Sequence, residues 1–256
     1  MNFIALDFTD LAIASLLVVI NGALSVALQL GLACQLLIAT ARMIVQLLLV
    51  GLVLATLFAL VSPFWTGLTA AAMVLFAGYE IMARQERRLK GPWAYGLGTG
   101  CMLVAASVVT VFGLATQIQP EPWYHPRYAL PLLGMILGNT MTGISLGLHT
   151  LTIGAVGGKT AIEARLALGA TFRQAMLPIT RRAMRSAMIP IINSMAATGL
   201  VSLPGMMTGQ ILAGIEPGQA VRYQLLIMFL IAGGTALGAT TAVMAGGWRL
   251  TDRRHR

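Results

Sequence analysis

Residues 43–61 read MIVQLLLVGLVLATLFALV, nineteen consecutive positions without a charged side chain. The hydrocarbon core of a bilayer is about 30 Å thick, and a helix rising ~1.5 Å per residue needs ~20 apolar residues to cross it. A run of this length reads as a membrane crossing, not as the one-sided helix of a soluble domain. Cutting the rest of the chain at its clusters of charge and proline extends the pattern to seven candidate spans, at 10–29, 43–61, 64–83, 93–116, 129–153, 186–203 and 223–247. The segment 30–41, LGLACQLLIATA, is too short to cross again and is expected to lie at the interface. With 57% hydrophobic and 10% charged residues and a mean hydropathy of +0.82, the chain falls outside the range of soluble globular domains. The fold class is therefore all-α: a polytopic integral membrane protein of about seven transmembrane helices, with 1–256 forming one transmembrane domain.

Charge sets the expected orientation. Lys and Arg accumulate on the cytoplasmic side of spans. With the N-terminus outside and the C-terminus cytoplasmic, 15 of the 17 basic residues face the cytoplasm and only Arg127 and Arg222 face out. The net charge of +9 then reflects topology and contact with anionic lipid. No aromatic-interleaved basic module accompanies it, so nucleic acid is not expected as a partner. The opening MNFIALDFTD holds Asp7 and Asp10 but no basic residue, unlike a cleavable signal peptide, and the first span is expected to remain. Cys34 and Cys101 lack metal or redox spacing and read as reduced packing residues.

Against this apolar background, residues 158–176, GKTAIEARLALGATFRQAM, carry Lys159, Glu163, Arg165 and Arg173 between spans five and six. Thr160-x-x-Glu163 has the form of a capping box, and Thr171-x-x-Gln174 repeats it eleven residues later, with Gly169 between them as a helix terminator. The spacing predicts a helix of about two turns over 161–168, too short to cross, and a new helix from about Phe172. Ile162 and Leu166 form one apolar edge, while Glu163 and Arg165 stay polar. Two readings fit these residues: a solvated loop helix anchored by Leu166 in the headgroups, or a docking surface for a soluble partner. The nearby GAVGGKT at 154–160 ends like a phosphate-binding loop, but that motif requires glycine where Ile153 stands. No nucleotide site is expected in this chain.

Glu163-Ala164-Arg165-Leu166-Ala-Leu-Gly169 resembles the E-A-A-x-x-x-G core of the coupling loop in ABC transporter permeases, with Arg165 in place of the second alanine and no match to that motif's I-x-L-P tail. GMILGNTM at 134–141, ARLALGATFRQA at 164–175 and GLVSLPGMMTGQILAGIEPGQAVRYQ at 199–224 are more specific. Together with Arg42-Met-Ile-Val-Gln46-Leu they resemble the FetB-type permeases, membrane subunits of bacterial iron exporters related to a plant half-transporter linked to aluminium tolerance. The resemblance is strongest from Pro131 to Gln224. It implies a permease of the bacterial inner membrane, working as a homodimer with a separate cytoplasmic ABC ATPase and exporting iron or another metal-related solute. ATP and Mg would sit on that partner, and this chain would carry no cofactor. Glu163, Ala164, Arg165, Leu166 and Gly169 would form the coupling helix, at about 160–170.

Polar residues within spans are the candidates for a solute path. Asn139, Thr142 and His149 fall on one face of span five, where interhelical hydrogen bonds explain them as well as a path does. His149 has no second His or carboxylate at ligand spacing, so no metal ligand set can be read. Span six carries Pro190, Asn193, Ser194, Thr198, Gly199 and Ser202, followed by Pro204-Gly205, Met206, Met207 and Thr208. Proline and glycine at this density predict a broken helix, and in transporters such breaks face cavities. Met206 and Met207 suit gate packing or soft ions. Glu80 and Arg84 are expected to pair along span three. The pairs Gly134/Gly138, Gly143/Gly147 and Gly234/Gly238 have spacing that permits close helix approach. Other classes fit less well. Both lysines lie in loops, which removes a retinal-type receptor, and the ionisable residues at depth are too sparse for an intramembrane enzyme. An ATP-independent secondary transporter or channel is the remaining alternative.

Overall fold

The computed structural model describes residues 7–87, 89 and 91–250, with the side chain of Phe8 left aside. Arg88, Lys90, Arg253, Arg254 and Arg256, which entered the charge partition, lie outside the described residues, as does the opening Met1–Leu6. Nine α-helices follow one another among the described residues: α1 (Phe8–Ala27), α2 (Ala33–Leu60), α3 (Pro63–Ala83), α4 (Trp93–Gly113, continued by a π-helical turn Leu114–Ile118), α5 (Pro126–Gly157), α6 (Lys159–Ala167), α7 (Phe172–Ala197), α8 (Gly205–Leu212) and α9 (Pro217–Arg249). There is no strand among the described residues. The fold is all-α, and among the described residues six helices, α1 to α5 and α9, are long and apolar enough to cross a membrane.

Two expectations change here. Residues 33–41 do not form a separate interfacial helix. They are the first turns of α2, a single helix of 28 residues. Nothing between Ala33 and Leu60 breaks it, and the chain reverses earlier, where Gln29 and Gly31 take positive φ of 53° and 70° and the Leu32 N–H donates to Ser25 Oγ at 3.0 Å. The expected span at 186–203 is instead the apolar second half of α7, which begins at Phe172, runs 26 residues and ends at Ala197. Arg173, Arg181, Arg182 and Arg185 in its first half keep it outside the apolar class.

The chain divides into two compact units, 1–60 and 61–256. The first is the α1–α2 hairpin, whose helices bury only 6% of their span windows. Such a surface suits lipid.

The second unit is a bundle centred on α4, α5 and α9, with α3 and α7 packed against it. Pro63, Pro126 and Pro217 each open a helix, where a fixed φ and a missing N–H carry no penalty. Met102, Ala105, Ile136, Ile144, Leu151, Ala242 and Val243 have no exposed surface. Glycine sets the spacing. A Cβ at Gly147 would lie 2.8 Å from Val243 Cγ2 and 3.2 Å from Ala187 Cβ, and one at Gly238 would lie 2.5 Å from Thr140 Cγ2. The glycine faces 143/147 and 234/238 are thus occupied within the chain, by α5, α7 and α9. Helices α5 and α9 run parallel, since Gly234 meets Ile136 while Gly246 meets Leu148 and Leu151. Arg127 and Arg222 accordingly lie at one end of the bundle, and α6 and Arg249 at the other, where the Arg249 guanidinium stacks 4.4 Å from the Trp93 ring centroid.

Candidate functional site

The basic end of the bundle carries a short helix held at both termini. Helix α5 ends at Gly157, Gly158 is the only connecting residue, and α6 starts at Lys159. The first expected capping box does not form. The connection is so short that Thr160 already lies inside α6, and Gly158 occupies the N-cap without a side-chain bond. The C-terminus follows the expected chemistry. Gly169 takes φ +89°, its N–H donates to Leu166 O at 3.0 Å, and the Ala170 N–H donates to Arg165 O at 3.0 Å. This paired arrangement satisfies carbonyls that the helix end would otherwise leave free. The second capping box is complete: the Thr171 N–H donates to Gln174 Oε1 at 2.9 Å, and the Gln174 N–H donates to Thr171 Oγ1 at 3.3 Å.

Ile162 packs against the core, and Leu166 is half-buried. Arg165 Nη1 donates to Ala175 O at 3.4 Å, tying α6 to α7. Glu163 pairs with Lys159 at 3.8 Å, with the two side chains 62% and 76% exposed. Water screens such a pair, so it contributes little. Ala164 is exposed, and Leu168 at the tip is 87% exposed. The hairpin therefore presents an apolar tip and a charged flank beyond the bundle, on a rigid base.

Two clefts open beside it. One, of about 620 Å³, is lined by His149, Thr150, Gly154, Gly158, Ile179 and Arg182 among others. The second, of about 730 Å³, includes Arg165, Gln174, Arg181, Arg182, Arg185 and Ser186. They share Pro178 and Arg182. His149 Nδ1 is buried with no hydrogen-bond partner.

The remaining path candidates are dispersed. Asn139 Nδ2 donates to Met135 O at 2.9 Å and Thr142 Oγ1 to Gly138 O at 3.0 Å, both within α5. Asn193 is exposed on the last turns of α7. The helix break comes before Pro204-Gly205. Gly199 takes φ +99°, its N–H donates to Ser202 O at 2.9 Å, and Pro204 is the N-cap of α8, whose first residue is Gly205. Met206, Met207 and Thr208 are half-buried on α8, and Thr208 Oγ1 donates to Pro204 O at 3.2 Å. Helix α8 has only 8 residues and packs against α9. Glu80 and Arg84 do pair, at 3.8 Å. No group of three or more His, Cys, Asp or Glu able to hold a metal ion occurs among the described residues.

The model of UPF0014, described as an uncharacterised protein family, matches residues 8–250, which takes in every helix above. The chain belongs to the UPF0014 family. It is 40% identical over 226 residues to the UPF0014 membrane protein slr1647 of Synechocystis, covering 88% of this chain and 86% of that one. It is 32% identical over 231 residues to the Arabidopsis thaliana protein ALUMINUM SENSITIVE 3, covering 90% and 82%. It is 31% identical over 246 residues to the Escherichia coli protein named probable iron export permease protein FetB, covering 96% and 93%. No solved structure matches the chain. With six apolar helices of crossing length and membrane-protein relatives in UPF0014, it is a multi-pass membrane protein.

Sequence reasoning used Arg181, Arg182 and Arg185 only to orient the chain. Arg185 is a surface neighbour of Arg181 at i, i+4 and of Arg182 at i, i+3, a clustering that the sequence already contains.

Proposed function

We propose that this chain is the membrane-spanning permease subunit of an ABC transporter, paired with a second copy and driven by a separate cytoplasmic ATPase that holds the ATP and Mg. The proposed location is a bacterial inner membrane and the proposed cargo iron or another metal-related solute, for which the support is the name of the FetB relative. The observation that carries the reading is α6. It is a nine-residue helix too short to cross, closed by Gly169, braced on α7 through Arg165 and Ala175, and exposing Leu168 where a groove on a soluble partner would cover it. The brace on α7 fixes where the exposed tip sits relative to the bundle.

Co-expression with an ABC ATPase from the same organism and reconstitution in liposomes tests this. Iron export should require both the ATPase and ATP, and Gly169→Pro should abolish it while the protein still inserts. Full export by the permease alone, or by the Gly169→Pro variant at normal abundance, would favour an ATP-independent transporter.

A further inference from the structure

The basic clefts have a composition that the family reading leaves unexplained. Between them they present His149, Arg165, Arg181, Arg182 and Arg185, and no carboxylate of the described residues lines either one. None of Arg181, Arg182 and Arg185 has an acidic partner among the described residues, and Glu163 on neighbouring α6 is paired with Lys159. Arg185 also lies at depth. Ala183 and Ala187, which bracket Arg185, pack at the level of Gly147 and Gly143, whereas the turn before Arg249 packs at Leu148 and Leu151. Arg185 is therefore about five residues, or ~8 Å, inside the level of Arg249 and Trp93. Pro178, Arg182, Arg185, Ile189 and Ile192 follow i, i+4, i+7, i+11 and i+14 along one exposed stripe of α7. Charged side chains at membrane depth face aqueous cavities far more often than lipid, and they mark solute routes. An unpaired guanidinium presents a planar fork of donors that matches carboxylate geometry. A bare metal cation would be repelled by the same row.

We propose that the two clefts are one water-filled, anion-selective vestibule, and that metal cargo enters it complexed by a polycarboxylate chelator, with net negative charge, not as a free cation. This rests on the transport reading above and specifies the form of the cargo. Arg182 lies at the junction of the clefts and would contact the chelate from either side. Arg181 and Arg185 would hold its remaining carboxylates, and His149, with its buried unpartnered Nδ1, would face the inner end.

The test uses the purified full chain in phosphatidylcholine nanodiscs, with ferric citrate, citrate alone and aqueous ferrous ion as probes in equilibrium dialysis. Ferric citrate and citrate should bind and ferrous ion should not. Arg182→Gln with Arg185→Gln should weaken ferric citrate binding by roughly tenfold or more, the scale of one charge-assisted contact. Arg185→Lys, which keeps the charge but loses the planar fork, should fall between the native chain and the double variant, and thermal melting should be unchanged in both variants. Binding of ferrous ion in preference to the chelate, or chelate binding indifferent to the arginine substitutions, would overturn the proposal. So would abolition of chelate binding on exchange of phosphatidylcholine for phosphatidylglycerol, which would assign the clefts to a lipid headgroup. The assay contains no ATPase, so failure to find a coupled ATPase would overturn the transport reading and leave this result standing.

Discussion

At the scale of single residues, identical sequence patterns have different outcomes for a local reason. Thr160-x-x-Glu163 and Thr171-x-x-Gln174 share one form, but only the second caps a helix. Thr171 follows the left-handed Gly169 and has free backbone to enter the N-cap conformation, with φ −68° and ψ 154°. Thr160 is separated from α5 by Gly158 and Lys159 alone and is drawn into α6. Thr171→Ala should therefore lower thermal stability by about 1 kcal/mol, as loss of an N-cap does, while Thr160→Ala should change it by less than ~0.5 kcal/mol; paired melts in one detergent would measure the difference. Leu168 supplies the complementary case. It is 87% exposed, so Leu168→Asp should leave the melting temperature of the isolated chain unchanged. If the tip seats in an ATPase groove, the same substitution should cut ATP-driven export at least roughly tenfold through the cost of burying a charge there. Normal export by Leu168→Asp would remove the tip from the coupling contact.

At the scale of helices, much was legible and the exceptions are instructive. The crossings α1, α3, α4, α5 and α9 follow from uninterrupted apolar length, and the start of α7 at Phe172 follows from its cap. Hydropathy treats an arginine as a stop, so α7 was divided where Arg181 to Arg185 stand, although those side chains lie on one exposed stripe of a continuous helix. Its buried stripe, Ala175, Ala183, Ala187 and Ile191, is mostly small because Gly143 and Gly147 of α5 come close to it. Glycine spacing in the sequence suggested close approach but not the partner, because the approach is between helices far apart in the chain. Gly147→Leu should destabilise the bundle by roughly 1–3 kcal/mol through overpacking against Val243 and Ala187. Gly138→Leu, with nothing within 4 Å of its Cβ position, should be tolerated in the isolated chain. Equal losses of melting temperature from the two would contradict this packing.

The turn between α7 and α8 gives a further prediction at the same scale. Its exposed residues Leu200 and Val201 and the half-buried Met206 and Met207 flank the break between α7 and the short helix α8. In a background without Cys34 and Cys101, cysteine at Ser202, Met206, Met207 or Thr208 should react with an impermeant thiol reagent at a rate that differs between nucleotide-free and ATP-trapped complexes, because a moving segment changes exposure across a cycle. Identical rates at all four positions would make the turn structural.

At the scale of the whole molecule, the site was less legible than the fold. The hairpin of α6 and α7 could be placed from caps and glycine. The clefts could not, since they require α5, α6 and α7 to meet, and hydropathy contains no information on which helix faces adjoin. Assembly is also constrained by packing. The Gly143/Gly147 and Gly234/Gly238 faces are filled within one chain, so a second copy has to meet other surfaces. If α6 couples this chain to an ATPase in a symmetric complex, the two proteins should purify together. Native mass spectrometry of the affinity-purified chain, co-expressed with an ABC ATPase from the same organism, tests it most directly. A complex of two permease and two ATPase chains that Leu168→Asp dissociates is the expected result. A chain that emerges without any ATPase and yet exports iron when reconstituted alone would contradict it.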